Sequence, residues 1–403
     1  MKQYIFLNNY QLLLLIFFYK LNKNDNFIIK IILDTKFMKN EDSNKISLEN
    51  NKKKKKLRNL KILTFFPFLI YFSWVILNEK KKNEKFFFFL QEKKNLSYCK
   101  NFGLLVYFKD KNNSLFKENS SENIGDYIQS LAALQFLPKN CFPYLVDREY
   151  LRYYNGPMVN LIMNGWFLLY EGNKIVSDKI NPIYLSFHIY NEKGLDSEAI
   201  KNLKKYEPIG SRDLFTYNIL KNKNIKSYFS ACLTLTLDID YAAKKSERTN
   251  EIIFVDYSFG QIPQVDKSLL SLKAYNFKEI IKLTHMNFKI SESHIERFKK
   301  AKYLLDRYAR AKLVVTTRLH VAFPCLALKT PVIFVRRKKF FDQNRFSGLY
   351  QFLNTVGYNE HGKFEAKFKF DRRNYIKNPN YYRKYANNLK KTLRTIINKI
   401  IKN

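Results

Sequence analysis

The chain has 403 residues, 46% of them apolar and 16% aromatic, which supplies the cores of two ordinary domains and excludes a disordered protein. Its 72 Lys and Arg against 35 Asp and Glu give a formal charge of +37, but no zinc-finger spacing or RNP-like aromatic pattern accompanies it, so no nucleic-acid partner is expected. The charge travels with abundant Lys, Asn, Ile, Phe and Tyr and with only 11 Gly and 10 Pro, the bias of AT-rich coding, which places it on a solvated surface.

Near the N-terminus, "YIFLNNYQLLLLIFFYK" is interrupted by Asn8 and Asn9 and fits either a crude signal sequence or an amphipathic tail. Residues 62–77, "ILTFFPFLIYFSWVIL", carry no charge. As a helix they reach about 24 Å, slightly less than a bilayer core of about 30 Å. The basic block Lys52 to Lys56 precedes them, and Tyr71 and Trp74 suit a membrane interface. The expectation is a single-pass signal anchor with a cytosolic N-terminus, a buried core helix being the alternative. Three N-x-[ST] sequons, at Asn95, Asn112 and Asn119, follow where a lumenal stem would be glycosylated. That orientation puts the rest of the chain in the Golgi or ER lumen of a eukaryote, or in a bacterial cell envelope.

From about residue 100, strand-like runs alternate with helical patterns, which predicts parallel sheets with crossover helices. The candidate strands are 103–108, 159–165, 182–189, 251–257, 312–317 and 331–335. Helices are expected from near Asp126, Ser211 and Ser293, the last with Glu296 in capping-box spacing. The polar stretch "DYAAKKSERTN", 240–250, divides the region in two. The domain reading is 1–94 Lys/Asn-rich with the hydrophobic segment, 95–239 and 240–345 as two Rossmann-like domains, and 346–403 as a helical tail. In that tail Leu389, Leu393, Ile396, Ile397, Ile400 and Ile401 recur at helical spacing.

Four cysteines, Cys99, Cys141, Cys232 and Cys325, include no C-x-x-C, which excludes a disulfide scaffold and a cysteine zinc site of the usual spacing. One or two disulfides remain open. Cys232 and Cys325 lie in apolar runs and read as small buried hydrophobes.

In open parallel sheets ligands sit beyond the carboxyl ends of the strands, and several polar residues fall at such ends. After "KLVVT" the chain presents Arg318 and His320 before an apolar helix. A cation buried there needs an anion, and Arg binds carboxylate or phosphate in bidentate fashion. His188 lies near the end of "PIYLSFHI". In "PIGSRDLFT" Ser211 is the expected N-cap, with Asp213 near the helix start, whereas Arg212 is poorly placed for the helix dipole and points to a ligand or a salt bridge. In "NIGDYIQSLAA" Asp126 is the expected N-cap, and Gly125 lets backbone approach a ligand. Asn164, with Gly165, ends the strand before it. Asp238 and Asp240 form an isolated D-x-D in the interdomain segment. No nucleotide-loop, zinc-protease or nucleophile-elbow motif is present.

The order NIGD, NGW, SFH, GSRD, SACLTLTLD (residues 230–238) and TTRLHVAFPCLALKTPVIF resembles the polysaccharide pyruvyl transferase family over residues 100 to 345, most specifically in T-[ST]-R-L-H and its helix. The resemblance implies an α/β chain of two Rossmann-like domains, GT-B-like, here preceded by the N-terminal anchor segment. It also implies phosphoenolpyruvate as donor substrate, a glycan or polysaccharide acceptor, and neither cofactor nor metal. Arg318, His320 and Arg212 would then contact phosphoenolpyruvate, with His188 a further donor-site residue. Transfer to two hydroxyls of one sugar gives a cyclic ketal and free phosphate, and needs a proton at the methylene carbon. An imidazole of unperturbed pKa near 6.5 suits that step and makes His320 the expected general acid, with Asp126 as the expected base. The alternatives are a nucleotide-sugar glycosyltransferase of GT-B architecture and a non-catalytic sugar- or anion-binding relative.

Overall fold

The stretch expected to form one strand over 182–189 is broken at Tyr184, and that break organises the first half of the molecule. The computed structural model describes residues 98–107, 123–138, 141–167, 175–190, 192–237, 248–272, 280–286, 292–337, 344–359 and 361–402. In chain order the first half runs β1 (Tyr98–Val106), α1 (Gly125–Leu134), β2 (Phe142–Asp147), β3 (Val159–Ile162), β4 (Gly165–Phe167), β5 (Ile180–Ile183) and β6 (Leu185–Ile189). It continues with α2 (Ser197–Lys204), β7 (Ile209–Ser211), α3 (Leu214–Asn222) and β8 (Ser227–Phe229).

Two parallel sheets result, β2-β1-β3-β5 and β4-β6-β7-β8. The chain passes from the first to the second at Met163–Asn164 and again at Tyr184, so each expected long strand is two short ones. At the second crossing Ser186 takes φ +58 and its N–H bonds the Ser230 hydroxyl, an irregularity that no apolar run announces. β2 escaped the sequence reading because Pro143 interrupts "FPYLVD". It lies at the sheet edge, where a missing N–H costs least.

The second half comprises β9 (Ile252–Val255), α4 (Pro263–Leu270), β10 (Ile280–Leu283), α5 (His294–Arg310), β11 (Leu313–Thr316), α6 (Leu319–Ala327), β12 (Val332–Arg336), β13 (Asn354–Tyr358), β14 (Phe364–Lys367) and α7 (Tyr382–Lys402). Its sheet is β10-β9-β11-β12-β13-β14, parallel except for the last pair. β9 and β11 are wholly buried, Ile253, Val255 and Val314 facing one apolar cluster and Ile252, Phe254, Leu313 and Val315 the other. Burial on both faces is why these strands read as unbroken apolar runs. Each such side chain contributes roughly 1.5–3 kcal/mol.

The capping box at Ser293 forms as expected: Ser293 Oγ accepts the Glu296 N–H while the Glu296 carboxylate accepts the Ser293 N–H. Residues 346–403 are not helical throughout, since β13 and β14 extend the sheet before the helix begins at Tyr382. That helix buries Leu389, Leu393 and Ile397, and its Tyr382 hydroxyl donates to the Leu326 carbonyl at 2.7 Å.

One apolar cluster runs through both halves. Buried Arg297 of α5 donates to the carbonyl of Tyr107, beyond β1, at 2.9 Å, and the Ile124 N–H donates to the His285 carbonyl at 3.0 Å. The architecture is mixed α/β with parallel sheets, consistent with a Rossmann-like, GT-B-like arrangement. Cys99 and Cys141 form a disulfide between β1 and the start of β2, while Cys232 and Cys325 are free and buried. Among the described residues no helix is long and apolar enough to cross a membrane. The segment 62–77, the three sequons and the D-x-D at 238–240 lie outside those residues.

Candidate active site

A cavity of about 180 Å³ opens where carboxyl ends of parallel strands from both halves converge. Arg148 follows β2, Trp166 lies in β4, Arg212 follows β7, His285 follows β10, and Arg318, Leu319 and His320 follow β11. Asn123 and Asp126 enter from the start of α1, and Arg345 and Phe346 from the segment after β12. Four guanidinium groups and one carboxylate, Asp126, line it, while Glu149, Asp213 and Asp256, outside the lining, pair with Arg148, Arg212 and Arg318, so an anion would be met by guanidinium edges not taken by these partners.

Two of these arginines are held by the same device. Arg318 donates through Nε to Asp256 Oδ2 at 2.8 Å. Asp256 stands at φ +53 just past β9 and also accepts the Thr284 hydroxyl at 2.6 Å and the His285 N–H at 3.2 Å. Burial would lift the Asp256 pKa, but these hydrogen bonds and the Arg318 charge bring it below the ordinary carboxylate value. Arg212, 3% exposed, has Nε 3.3 Å from Asp213 Oδ2, an ion pair without hydrogen-bond geometry. Neither guanidinium makes a hydrogen bond through its terminal nitrogens among the described residues. Arg212 is buried, whereas the Arg318 side chain is 31% exposed and so is not the buried cation expected from the sequence; both line the cavity with their forks open to an anionic ligand.

His320 is the second residue of α6, a helix that begins without a side-chain cap. Its Nε2 is buried and has no hydrogen-bond partner among the described residues. Burial first, then the charges of Arg212 and Arg345, hold its pKa well below the ordinary imidazole value. The expectation of an unperturbed imidazole is therefore corrected: burial makes His320 neutral at pH 7. His285 is likewise neutral, pushed down to about 3 mainly by burial, with Nε2 on the Tyr308 hydroxyl at 2.8 Å.

Asp126 is not an N-cap. α1 starts one residue earlier, with Asn123 Oδ1 accepting the Gly125 N–H at 3.1 Å. Asp126 instead turns its carboxylate to the cavity, 3.7 Å from Arg148 and accepting from Gln129 Nε2 at 3.0 Å. Burial raises its pKa against the opposing Arg148 charge, which suits proton acceptance. Ser211 is not an N-cap either. It ends β7, and Asp213 caps α3, accepting the Thr216 N–H at 2.9 Å. An Asp cap two residues later fits because the parallel ladder with β6 and β8 claims Ser211 first.

The remaining expected residues lie behind the cavity wall. His188, fully buried in β6, places Nδ1 2.7 Å from Asp213 Oδ2, so it braces the carboxylate beside Arg212. Burial would raise the Asp213 pKa, but the hydrogen bond and charge of His188, then Arg212, carry it below the usual value. Asn164 donates to the Gln129 carbonyl at 2.8 Å and so fixes the residue that holds Asp126. Gly125 meets a side chain where a ligand was expected: a Cβ there would lie 3.1 Å from His320 Nδ1.

Sequence reasoning missed Arg148, Trp166, His285 and Arg345 as site residues. A signal existed for Arg148, which directly follows the apolar "YLV" and its Asp. The strand before His285 is short and only partly buried, and Arg345 sits in an irregular turn.

Residues 123–339 match a family model described as polysaccharide pyruvyl transferase. No curated protein matches the chain. Among solved structures, an uncharacterised protein from Klebsiella pneumoniae subsp. pneumoniae is 17% identical, over 60% of this chain and 87% of its own, with a TM-score of 0.36.

Proposed function

From the premise that this chain belongs to the polysaccharide pyruvyl transferase family and is a transferase, we propose that it moves the pyruvyl group of phosphoenolpyruvate onto two hydroxyls of one glycan sugar. The observation that carries this reading is the pair of arginine forks, Arg212 and Arg318, lining one small cavity with His320, whose Nε2 has no hydrogen-bond partner among the described residues. Phosphoenolpyruvate bears a carboxylate and a phosphate on three carbons, which two to four guanidinium groups can neutralise.

The balanced steps assign a role to each side chain. A proton adds to the methylene carbon, giving a methyl group and an electron-poor C2 that one sugar hydroxyl attacks. Phosphate leaves with its bonding electrons, the second hydroxyl closes the ketal, and of the two hydroxyl protons one replaces that given to carbon and the other departs with phosphate. His320 is the proton donor, and the donor's own anionic groups, set against Arg212 and Arg318, supply the charge that lets it hold a proton. Asp126 takes the hydroxyl proton. Gln129 holds that carboxylate by a hydrogen bond, and Arg148, itself bonded to Glu149, lies 3.7 Å from it.

We also read the catalytic region as facing a lumen or cell envelope, anchored by one N-terminal helix. The Cys99–Cys141 disulfide supports an oxidising compartment. The deciding experiment is phosphate release by the full chain with phosphoenolpyruvate and a panel of hexosides, read together with the acceptor's mass. Acceptor-dependent release with the mass gain of a pyruvate ketal is expected; release of nucleotide from a nucleotide sugar in its place would overturn the reading.

A further inference from the structure

We propose that Trp166 and Tyr190 form the wall on which the acceptor sugar stacks, a binding site distinct from the arginine-lined donor position and resting on the pyruvyl-transfer reading for its occupant. Trp166 stands on β4, half-buried on the cavity wall, and Tyr190, 44% exposed just beyond β6, places its ring 5.1 Å from the indole at 55°. The backbone fixes the pair, because the Tyr190 N–H donates to the Phe167 carbonyl at 3.0 Å across the β4–β6 ladder. Neither the indole N–H nor the Tyr190 hydroxyl has a hydrogen-bond partner among the described residues.

The chemistry of the wall differs from that of the cavity floor. A pyranose has an apolar C–H face and a polar edge, so it packs against an aromatic ring while its hydroxyls seek donors and acceptors. Arg148 stands over the Trp166 ring at 5.4 Å and over the Tyr107 ring at 4.6 Å, hydrogen-bonds Glu149 through Nε and Nη2, and is 3.7 Å from Asp126. A sugar against the Trp166 and Tyr190 rings therefore has Arg148 and, beside it, Asp126 as neighbouring polar groups. The wall also selects: a ring with an uninterrupted C–H face fits it better than one with axial hydroxyls there.

The test uses the fact that the chain has two tryptophans, Trp74 and Trp166. In the full-length Trp74→Phe variant, emission reports on Trp166 alone. It is titrated, without donor, with the methyl glycosides of glucose, mannose, galactose and N-acetylglucosamine, and separately with uridine diphosphate. A saturable emission change with at least one glycoside is expected. Tyr190→Ala, at the exposed rim, should raise the acceptor KM at least tenfold and leave the phosphoenolpyruvate Kd within twofold, and Trp166→Phe should lose less acceptor affinity than Trp166→Ala. A sugar-induced change in a protein that releases no phosphate would keep the sugar wall and remove the reaction. The inference is overturned if a glycoside that the protein pyruvylates leaves Trp166 emission unchanged, or if uridine diphosphate alone changes it. Equal losses of donor and acceptor affinity in Tyr190→Ala would also overturn it.

Discussion

Arg212 and Arg318 solve one problem in two ways. Each follows the carboxyl end of a parallel strand, and each has a carboxylate against Nε that leaves the fork for a ligand. Asp213 is the next residue in the chain, fully buried, and tied to the α3 cap and to His188. Asp256 comes from another strand, is largely buried, and is held by Thr284 and the His285 N–H, but the Arg318 it pairs with is 31% exposed. The first anchor is rigid because three groups share one carboxylate in a dry environment. The second sits where water still screens it, so its contribution to stability is smaller even though its geometry is closer.

The largest expected effect is on the first anchor. Asp213→Asn should cost about 3–5 kcal/mol in urea unfolding, since it strands buried Arg212 and the His188 ring. Because folding depresses the Asp213 pKa, the wild-type contribution is complete above about pH 4 and lost as pH falls further, so the gap between wild type and variant should close in acid. Equal stability of the two at pH 7 would mean that the anchors do not differ.

Next come the forks themselves. Arg318→Lys should weaken phosphoenolpyruvate binding by about 1.5–3 kcal/mol, roughly ten- to hundredfold by calorimetry, because an ammonium cannot grip two oxygens in a plane. Arg212→Lys should lose at least as much, its guanidinium being the more deeply buried. His320→Ala should lower turnover more than donor affinity, a split that single-turnover kinetics separates.

The histidines give a smaller, pH-dependent signal. His320 and His285 have folded pKa values below their unfolded value of about 6.5, so below that pH the unfolded chain takes up protons that the folded one refuses. The ligand-free protein should lose about 1.4 kcal/mol per pH unit per histidine on acidification below pH 6.5. Removing one imidazole in His320→Gln should remove one share of that slope, and phosphoenolpyruvate should do the same in wild type. A slope unchanged by both would exclude His320 from the titration. The mildest change is Asp256→Asn, expected to cost about 1 kcal/mol of stability while loosening Arg318 enough to raise the donor Kd severalfold.

The two anchors also divide what could be read beforehand. G-S-R-D announces the first, because Arg212 and its carboxylate are neighbours in the chain. T-T-R-L-H announces only half of the second: nothing in "VDYS" marks Asp256 as the partner of Arg318, which stands 62 residues away. The same holds for Gly125, whose small size serves His320 across a helix contact, and for Asn164, which acts on Asp126 through Gln129.

By itself the sequence determined the alternation of buried strands and helices, the capping box at Ser293, the amphipathic terminal helix and the cation-bearing strand ends, since these depend on periodicity and on neighbouring residues. Only the tertiary structure decided that 159–167 and 180–189 each split between two sheets, that Arg148, His285 and Arg345 join the cavity, and that His188 stands behind it. Those outcomes depend on which strand ends meet, and that is fixed by contacts between segments far apart in the chain, where no local pattern records the partner.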